Sequence, residues 1–438
     1  MMIKENKTDP ATLQTAAGFP LISEIHTKYT FTNKEVAELR MLANKVSELS
    51  ERDIEKEKII LWTRHNDLQN VRPLVFADPE NGWNEIIPSD SLVCEDPLAR
   101  VWEMFLRKQI YWAEVIKDDK VIEPYFDVPY CYSDTGWGVE LKKHGGGENG
   151  SYKVDPAIMD YERDLPKVKF PEIIIDQGAS DKMLDLAHEV FDGILTVRRK
   201  NTWWWTLGMT WDFINLRGLD NLMMDLILNP DYVHELMGIL RDGYLARLDW
   251  MEQNSLLSSN TEGTYVGSGG FGWTKELPTE SEITGNVTTH QMWGFCESQE
   301  TVGVSPEMFN EFILPYQMPI LERFGLNCYG CCEPIDVRWD YVKKIPHLRR
   351  VSTSPWANKE KMANLLGNRY IMSVKPSPTP LSLPQMKEEV VRNELRDTLN
   401  AAKGCRVELI MKDNHTLGNN PRNITRWVEI AREEIDKL

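Results

Sequence analysis

The chain is 438 residues long, 42% hydrophobic and 27% charged, with a formal charge of −17. That length can bury a large core, as one barrel with insertions or as two domains. The negative charge argues against nucleic acid or an anionic membrane as partner. The first residues lack the apolar core of a signal peptide, and no apolar run is long enough to span a bilayer, so no membrane partner is expected. The seven cysteines are an odd, clustered set unlike a disulfide framework, which suggests a reducing, cytoplasmic setting. Fifteen tryptophans are many for such a chain; most suit a core, but an excess suits a cavity walled with flat aromatic surface.

Taken in order, residues 32–69 read as helix, charged with apolar positions at helical spacing. The apolar run Val71-Arg-Pro-Leu-Val-Phe76 follows, and Asp78-Pro-Glu-Asn-Gly82 ends it as a turn. The glycine tract within 143–152 predicts an exposed loop, and Glu172-Ile-Ile-Ile-Asp176 a strand in an insertion. Residues 222–254 read as helix and Ser255-Leu-Leu-Ser-Ser259 as a strand. The stretch 263–288, rich in Gly, Thr and Ser, predicts a long active-site loop that closes over substrate or forms a docking surface.

From there strand and helix alternate five times. Gln291-Met-Trp-Gly-Phe-Cys296 leads to a helix at Ser305-Pro306, a good N-cap followed by proline at the first helical position. Phe309, Phe312, Ile313, Tyr316 and Ile320 share one face of that helix. The later strands are one ending in the cysteine segment Gly325–Pro334, then Leu348–Ser354, Tyr370–Val374 and Arg406–Met411. Helices are predicted over 336–344 and 359–366, from Leu383 and from Pro421. Regular βα units with short connections predict a parallel sheet. Strand candidates near Val71, Glu123, Thr196 and Ser255 bring the count to nine, one of which suits an insertion. No Gly-x-Gly-x-x-Gly turn follows any strand, so the expected fold is α/β, a (β/α)8 TIM barrel with an N-terminal helical extension and insertions. The expected division is 1–70 for the extension and 71–438 for the barrel.

In a barrel, chemistry gathers at the C-terminal strand ends. Those ends carry Glu297 and Glu300, the cluster Cys328, Cys331 and Cys332, and Asp413-Asn-His415. A thiolate, an imidazole and a carboxylate from three strands could hold zinc with one position open. Cys331 and His415 are the first ligand choices, Glu297 the third, with Cys328 as an alternative to Cys331. Against this, the cysteines suit a packed turn, His415 a loop cap and the glutamates a solvated pair. Trp203-Trp-Trp205 and Thr210-Trp-Asp212 supply a second candidate. Trp203, Trp205 and Trp211 would stack on a flat substrate beside the Asp212 carboxylate, or pack beneath a loop. No Ser/His/Asp hydrolase signature, P-loop or His-Glu-x-x-His element is present.

The stretch Glu297-Ser-Gln-Glu-Thr-Val-Gly-Val-Ser-Pro-Glu-Met-Phe-Asn-Glu-Phe-Ile-Leu-Pro-Tyr316 resembles the active-site turn and helix after the fifth strand in the uroporphyrinogen decarboxylase superfamily. Gly208-Met-Thr and Asp225-Leu-Ile-Leu-Asn-Pro-Asp-Tyr-Val233 are similar to an earlier helical unit of that family. The resemblance runs from about Val71 to the C-terminus. Its decarboxylase branch holds substrate carboxylates with an arginine-rich N-terminal motif. Here Arg72-Pro-Leu-Val-Phe-Ala-Asp-Pro-Glu-Asn-Gly-Trp83 is acidic and lacks the arginine pair.

The other branch comprises zinc-dependent methyltransferases working with cobalamin carried by a partner corrinoid protein. Of their His-x-Cys-Gly motif Cys331 carries over directly, in Tyr329-Gly-Cys331-Cys332; Tyr329 replaces the histidine, and His415 replaces their late cysteine. Trp62-Thr-Arg-His-Asn66 adds to a likeness with O-demethylase methyltransferases, which implies a small aromatic methyl donor. Zinc on Cys331, His415 and Glu297 would then act at the leaving oxygen, or Glu297 or Tyr329 alone as a general acid, with Glu300 a further catalytic candidate. The rival readings are methyl transfer involving a thiol or amine, a decarboxylase, and a non-catalytic barrel that binds a tetrapyrrole or corrinoid.

Overall fold

The computed structural model describes residues 25, 27–145 and 152–438. Among them, eight strands run parallel to a neighbour. They are β1 (Leu74–Ala77), β2 (Tyr125–Val128), β3 (Thr196–Arg199), β4 (Trp293–Cys296), β5 (Leu326–Tyr329), β6 (Leu348–Thr353), β7 (Ile371–Val374) and β8 (Arg406–Met411). Six form one sheet in the order β1-β8-β7-β6-β5-β4, and β2 pairs with β3 alone. Every residue of β1, β4, β5 and β7 is buried, as expected for parallel strands covered on both faces.

The closed eight-stranded ring expected from the βα pattern is not found as a continuous ladder among the described residues; side chains satisfy the outer strands. At β1, Val75 N donates to Asp119 Oδ2 at 2.7 Å and Ala77 N to Asp118 Oδ2 at 2.8 Å. At β4, Asn260 accepts from Trp293 N and donates to Trp293 O, both at 2.9 Å. Leu207 N bonds Phe295 O at 2.9 Å on the same strand. These carboxylates and one carboxamide occupy the places that a neighbouring peptide would take.

Several predicted boundaries shift for local reasons. The helix expected over 32–69 is two, Asn33–Ser50 and Asp53–Asn66. The first opens with a capping box, Thr32 with Glu35. The helix expected over 222–254 breaks at Asn229-Pro230 into Leu219–Leu228 and Pro230–Gln253. Proline at the second helix's first position cannot continue the first. Ser305 caps Pro306–Phe312 as expected, but a second helix, Leu314–Leu321, follows at once. The helix expected from Leu383 starts at Glu388, beyond Pro384. Ile173–Ile175 is a strand, antiparallel to Tyr132–Asp134. Residues 255–259 are not a strand: Ser255 takes φ 59, a left-handed turn that ends extension. The glycine tract 146–151 lies outside the described residues; Lys142–Gly145 and Tyr152–Asp155 on either side pair as antiparallel strands.

Both N-terminal helices share the main core, through Leu39, Val46 and Trp62. Trp62 Nε1 donates to Asp119 O at 2.8 Å, tying the second helix to the segment before β2. No described helix is long and apolar enough to cross a membrane.

Candidate active site

The turn after β4 carries Glu297 and is held from three sides. Ser298 N donates to Glu333 Oε1 at 2.8 Å, and Cys331 N to Glu333 Oε2 at 2.9 Å. The buried Arg338 guanidinium donates to Ser298 Oγ at 2.8 Å and to Thr301 O. Gln317 Nε2 bridges Gly208 O and Glu297 O, each at 2.8 Å. Glu333 thus joins the turns after β4 and β5 as one rigid unit.

Within it the Glu297 side chain is fully buried. Oε2 accepts from Gln299 N at 2.8 Å, whereas buried Oε1 has no partner. Burial, then the nearby Glu300 and Glu333 carboxylates, push the Glu297 carboxyl well above the usual range. Burial also raises Glu300, whose Oε2 accepts from Thr210 Oγ1 at 2.6 Å. Burial and the neighbouring carboxylates both favour the protonated form of Glu297, and one of its oxygens is uncommitted.

After β5, Gly330 turns the chain at φ 89, a conformation glycine adopts freely. Cys331 Sγ accepts from Ser268 Oγ at 3.1 Å, with Cys332 Sγ 3.7 Å and Lys412 Nζ 3.9 Å away. Contact with Cys332, then burial, holds the Cys331 thiol well up, while Cys332 is drawn down by the same contact. The contact thus favours a single thiolate on the pair, at Cys332. Lys412, the first residue after β8, also binds Asp413 Oδ1 at 2.7 Å. Lys375, the first after β7, is lowered to about 8 by burial. Glu80, in the turn after β1, is raised to about 7 by burial and then Asp78.

Deeper among the strands lies a buried charged network. Arg350 Nε on β6 donates to Glu408 Oε1 on β8 at 2.9 Å, and Nη2 to Asn66 Oδ1 at 2.6 Å. His65 Nε2 stands 3.2 Å from Glu408 Oε2. Burial alone would raise Glu408, but Arg350, His65 and Lys375 hold it at about 2. The expected active-site loop packs against this network. Gly267, at φ 66, lies against Cys328, and Gly270 against the Arg350 guanidinium, each too close for a Cβ. Residues 266–274 are buried throughout, so this part of the loop is an internal lining. A lid would have to expose it.

Trp203 and Trp205 line one pocket with Lys200, Tyr265 and Phe295; it holds about 480 Å³ of empty volume, its solvent-filled mouth included. Trp203 Nε1 donates to Leu256 O at 2.8 Å and its ring stacks 6.0 Å from Tyr130. Trp205 Nε1 is buried without a partner. Trp205 packs on a cluster containing Phe295, Cys328 and Cys331, so the aromatic wall adjoins the thiols.

Other candidates lie apart. Trp211 is 45% exposed. Asp212 accepts from Tyr244 OH at 2.6 Å and is raised by burial. Tyr329 turns toward the helices, donating to Gln317 Oε1 at 2.7 Å, and burial raises its hydroxyl further, so it supports the Glu297 turn as a positioning residue.

The expected zinc ligands have other neighbours. Cys328 faces the Arg350 guanidinium at 3.6 Å, and Cys331 faces an ammonium. His415 is exposed, with Nδ1 3.5 Å from Asn81 Nδ2. No group of three His, Cys, Asp or Glu among the described residues is placed to hold a metal ion. Fixed cations beside both thiols oppose a dication, so these residues do not fit zinc as arranged.

Glu333, Lys375, Lys412, Ser268, Arg350 and Glu408 were not singled out from sequence, and Gly208 entered only through a family likeness. Lys375 and Lys412 directly follow their strands and were open to the strand-end rule. Glu333 and Ser268 acquire meaning only through contacts across segments.

No protein-family model matches the chain, and no curated protein matches it. Among solved structures, it is similar to a methyltransferase from Methanosarcina mazei at 12% identity and a TM-score of 0.47, over 86% of this chain and 97% of that one. That likeness is too distant to carry an argument about chemistry.

Proposed function

We propose that the chain is a corrinoid-dependent methyltransferase of the uroporphyrinogen decarboxylase-like type, built on a (β/α)8 barrel closed through side chains. Its donor is a small methoxylated aromatic and its acceptor the cobalt of a partner corrinoid protein. The observation that carries this reading is Glu297, a buried carboxyl with one unpartnered oxygen at the parallel-strand ends. The segment Trp205–Gly208 leads from the aromatic pocket directly onto it.

Phenoxide is a poor leaving group, since phenol titrates near ~10. A proton must reach the ether oxygen as its bond to the methyl carbon breaks. Glu297 supplies that proton from Oε1, and Glu300 with Glu333 keeps it in place beforehand. Trp203 and Trp205 hold the ring by stacking and exclude water. A reduced corrinoid, when its carrier docks, supplies the nucleophile that takes the methyl group. The chemistry needs no zinc in this account, because a neutral carboxyl meets the same demand.

A panel of methoxyarenes with a reduced corrinoid protein tests the proposal. Phenol release that requires both the chain and the corrinoid protein is expected. Uroporphyrinogen turnover would instead return the chain to the decarboxylase branch.

A further inference from the structure

We propose that Cys331 and Cys332 form a redox-active dithiol that accepts small disulfides and closes to a vicinal disulfide. Their sulfurs stand 3.7 Å apart. Cys332 is partly exposed and Cys331 buried, so an incoming disulfide meets Cys332 first. Cys331 then lies beneath it, ready to complete the exchange. Ser268 Oγ donates to Cys331 Sγ at 3.1 Å, and Lys412 Nζ stands 3.9 Å away; both stabilise an anionic sulfur. Cys331 is also fixed through its backbone, N to Glu333 Oε2 at 2.9 Å and O to Ser352 Oγ at 2.9 Å. The third thiol of the segment, Cys328, is directed at Arg350 instead.

The Cys332 thiolate attacks one sulfur of the small disulfide, forming a mixed disulfide and releasing one small thiolate. Cys331 gives its proton to that thiolate and attacks Cys332 Sγ. The Cys331–Cys332 bond forms, and the second small thiolate leaves, to be protonated by the proton Cys332 first lost. Two protein thiols are oxidised by two electrons, and one small disulfide is reduced to two thiols. Adjacent Cα atoms lie about 3.8 Å apart, shorter than a relaxed bridge, so the closed form is readily reduced.

The test treats the full chain with oxidised glutathione, blocks remaining thiols with iodoacetamide and fragments the tryptic peptide Phe324–Arg338. The expected product lacks two hydrogens, carries no glutathione, bridges Cys331 to Cys332 and is reversed by dithiothreitol. Cys331→Ser should leave glutathione held on Cys332, and Lys412→Gln should slow closure by about tenfold. A bridge to Cys328, glutathione retained on the wild type, or unreacted Cys331 and Cys332 would each overturn the proposal. Should Cys331→Ser not fold, the wild-type peptide decides alone. The readout needs no turnover, so it stands apart from the methyl-transfer reading.

Discussion

Gly208 lies against the carboxyl of Glu297, so close that a Cβ at residue 208 would stand 2.9 Å from Oε1 and collide with the Glu297 carbonyl. A side chain of any size would displace the acid. Gly208→Ala is therefore expected to cost about 1–3 kcal/mol of stability in denaturant unfolding, as overpacking does. Its loss of methyl transfer should exceed what the unfolded fraction explains.

The raised carboxyl of Glu297 has a consequence for stability. Burial, Glu300 and Glu333 lift it well above its ordinary 4.5. Between those values the folded chain keeps a proton that the unfolded chain has lost, so stability falls as pH rises through that window. Glu297→Gln, neutral at every pH, should be more stable than the wild type near pH 8. Urea unfolding across pH should show that advantage vanish below about pH 4, near the unfolded value; an unchanged difference would contradict a protonated Glu297.

Arg350 and Glu408 give the opposite sign. Glu408 is held at about 2, against an ordinary 4.5. Its contribution is present above the unfolded value and is lost as pH falls from 4.5 towards 2. Glu408→Gln leaves Arg350 buried beside a neutral group, at an expected cost of about 3–5 kcal/mol. The variant's stability should also fall less steeply over that acid range, measured by urea unfolding.

Much of this arrangement is legible in the sequence, and the limits are physical. The strand Arg406–Met411 is legible from Val407, Leu409, Ile410 and Met411, apolar because both faces are covered. Lys359–Leu366 shows its helical period in the same way. Glu297 is a candidate from sequence because the residue after a strand can face substrate, and the structure buries it there. His415 follows the same rule yet is exposed, since the rule gives position along the chain and not direction. The glycines at 267, 269 and 270 suggest mobility, but their purpose is close approach to Cys328, Ile410 and Arg350. No local pattern separates those two uses of glycine. The closed ladder failed for a related reason: Asp118, Asp119 and Asn260 imitate peptide groups, and nothing in their spacing says so.

The aromatic pocket makes a prediction that separates neighbouring tryptophans. Trp205 packs between Phe295 and the thiols, whereas Trp211 is largely exposed. Trp205→Ala should weaken methoxyarene binding by about tenfold, near 1.4 kcal/mol. Trp211→Ala should leave it unchanged. Titration followed by calorimetry distinguishes the two.

The most direct measurement is the single-turnover rate of methyl transfer against leaving-group acidity, for wild type and Glu297→Gln, read from the cobalt absorbance. With Glu297 protonating the ether oxygen, the wild-type rate should vary little along a series of substituted methoxyarenes. The variant should be slower by ~10²-fold or more on unactivated ethers and recover towards wild type as the departing phenol becomes more acidic. Equal rates for the two proteins along the whole series, or no transfer by the wild type to any reduced corrinoid protein, would contradict the account.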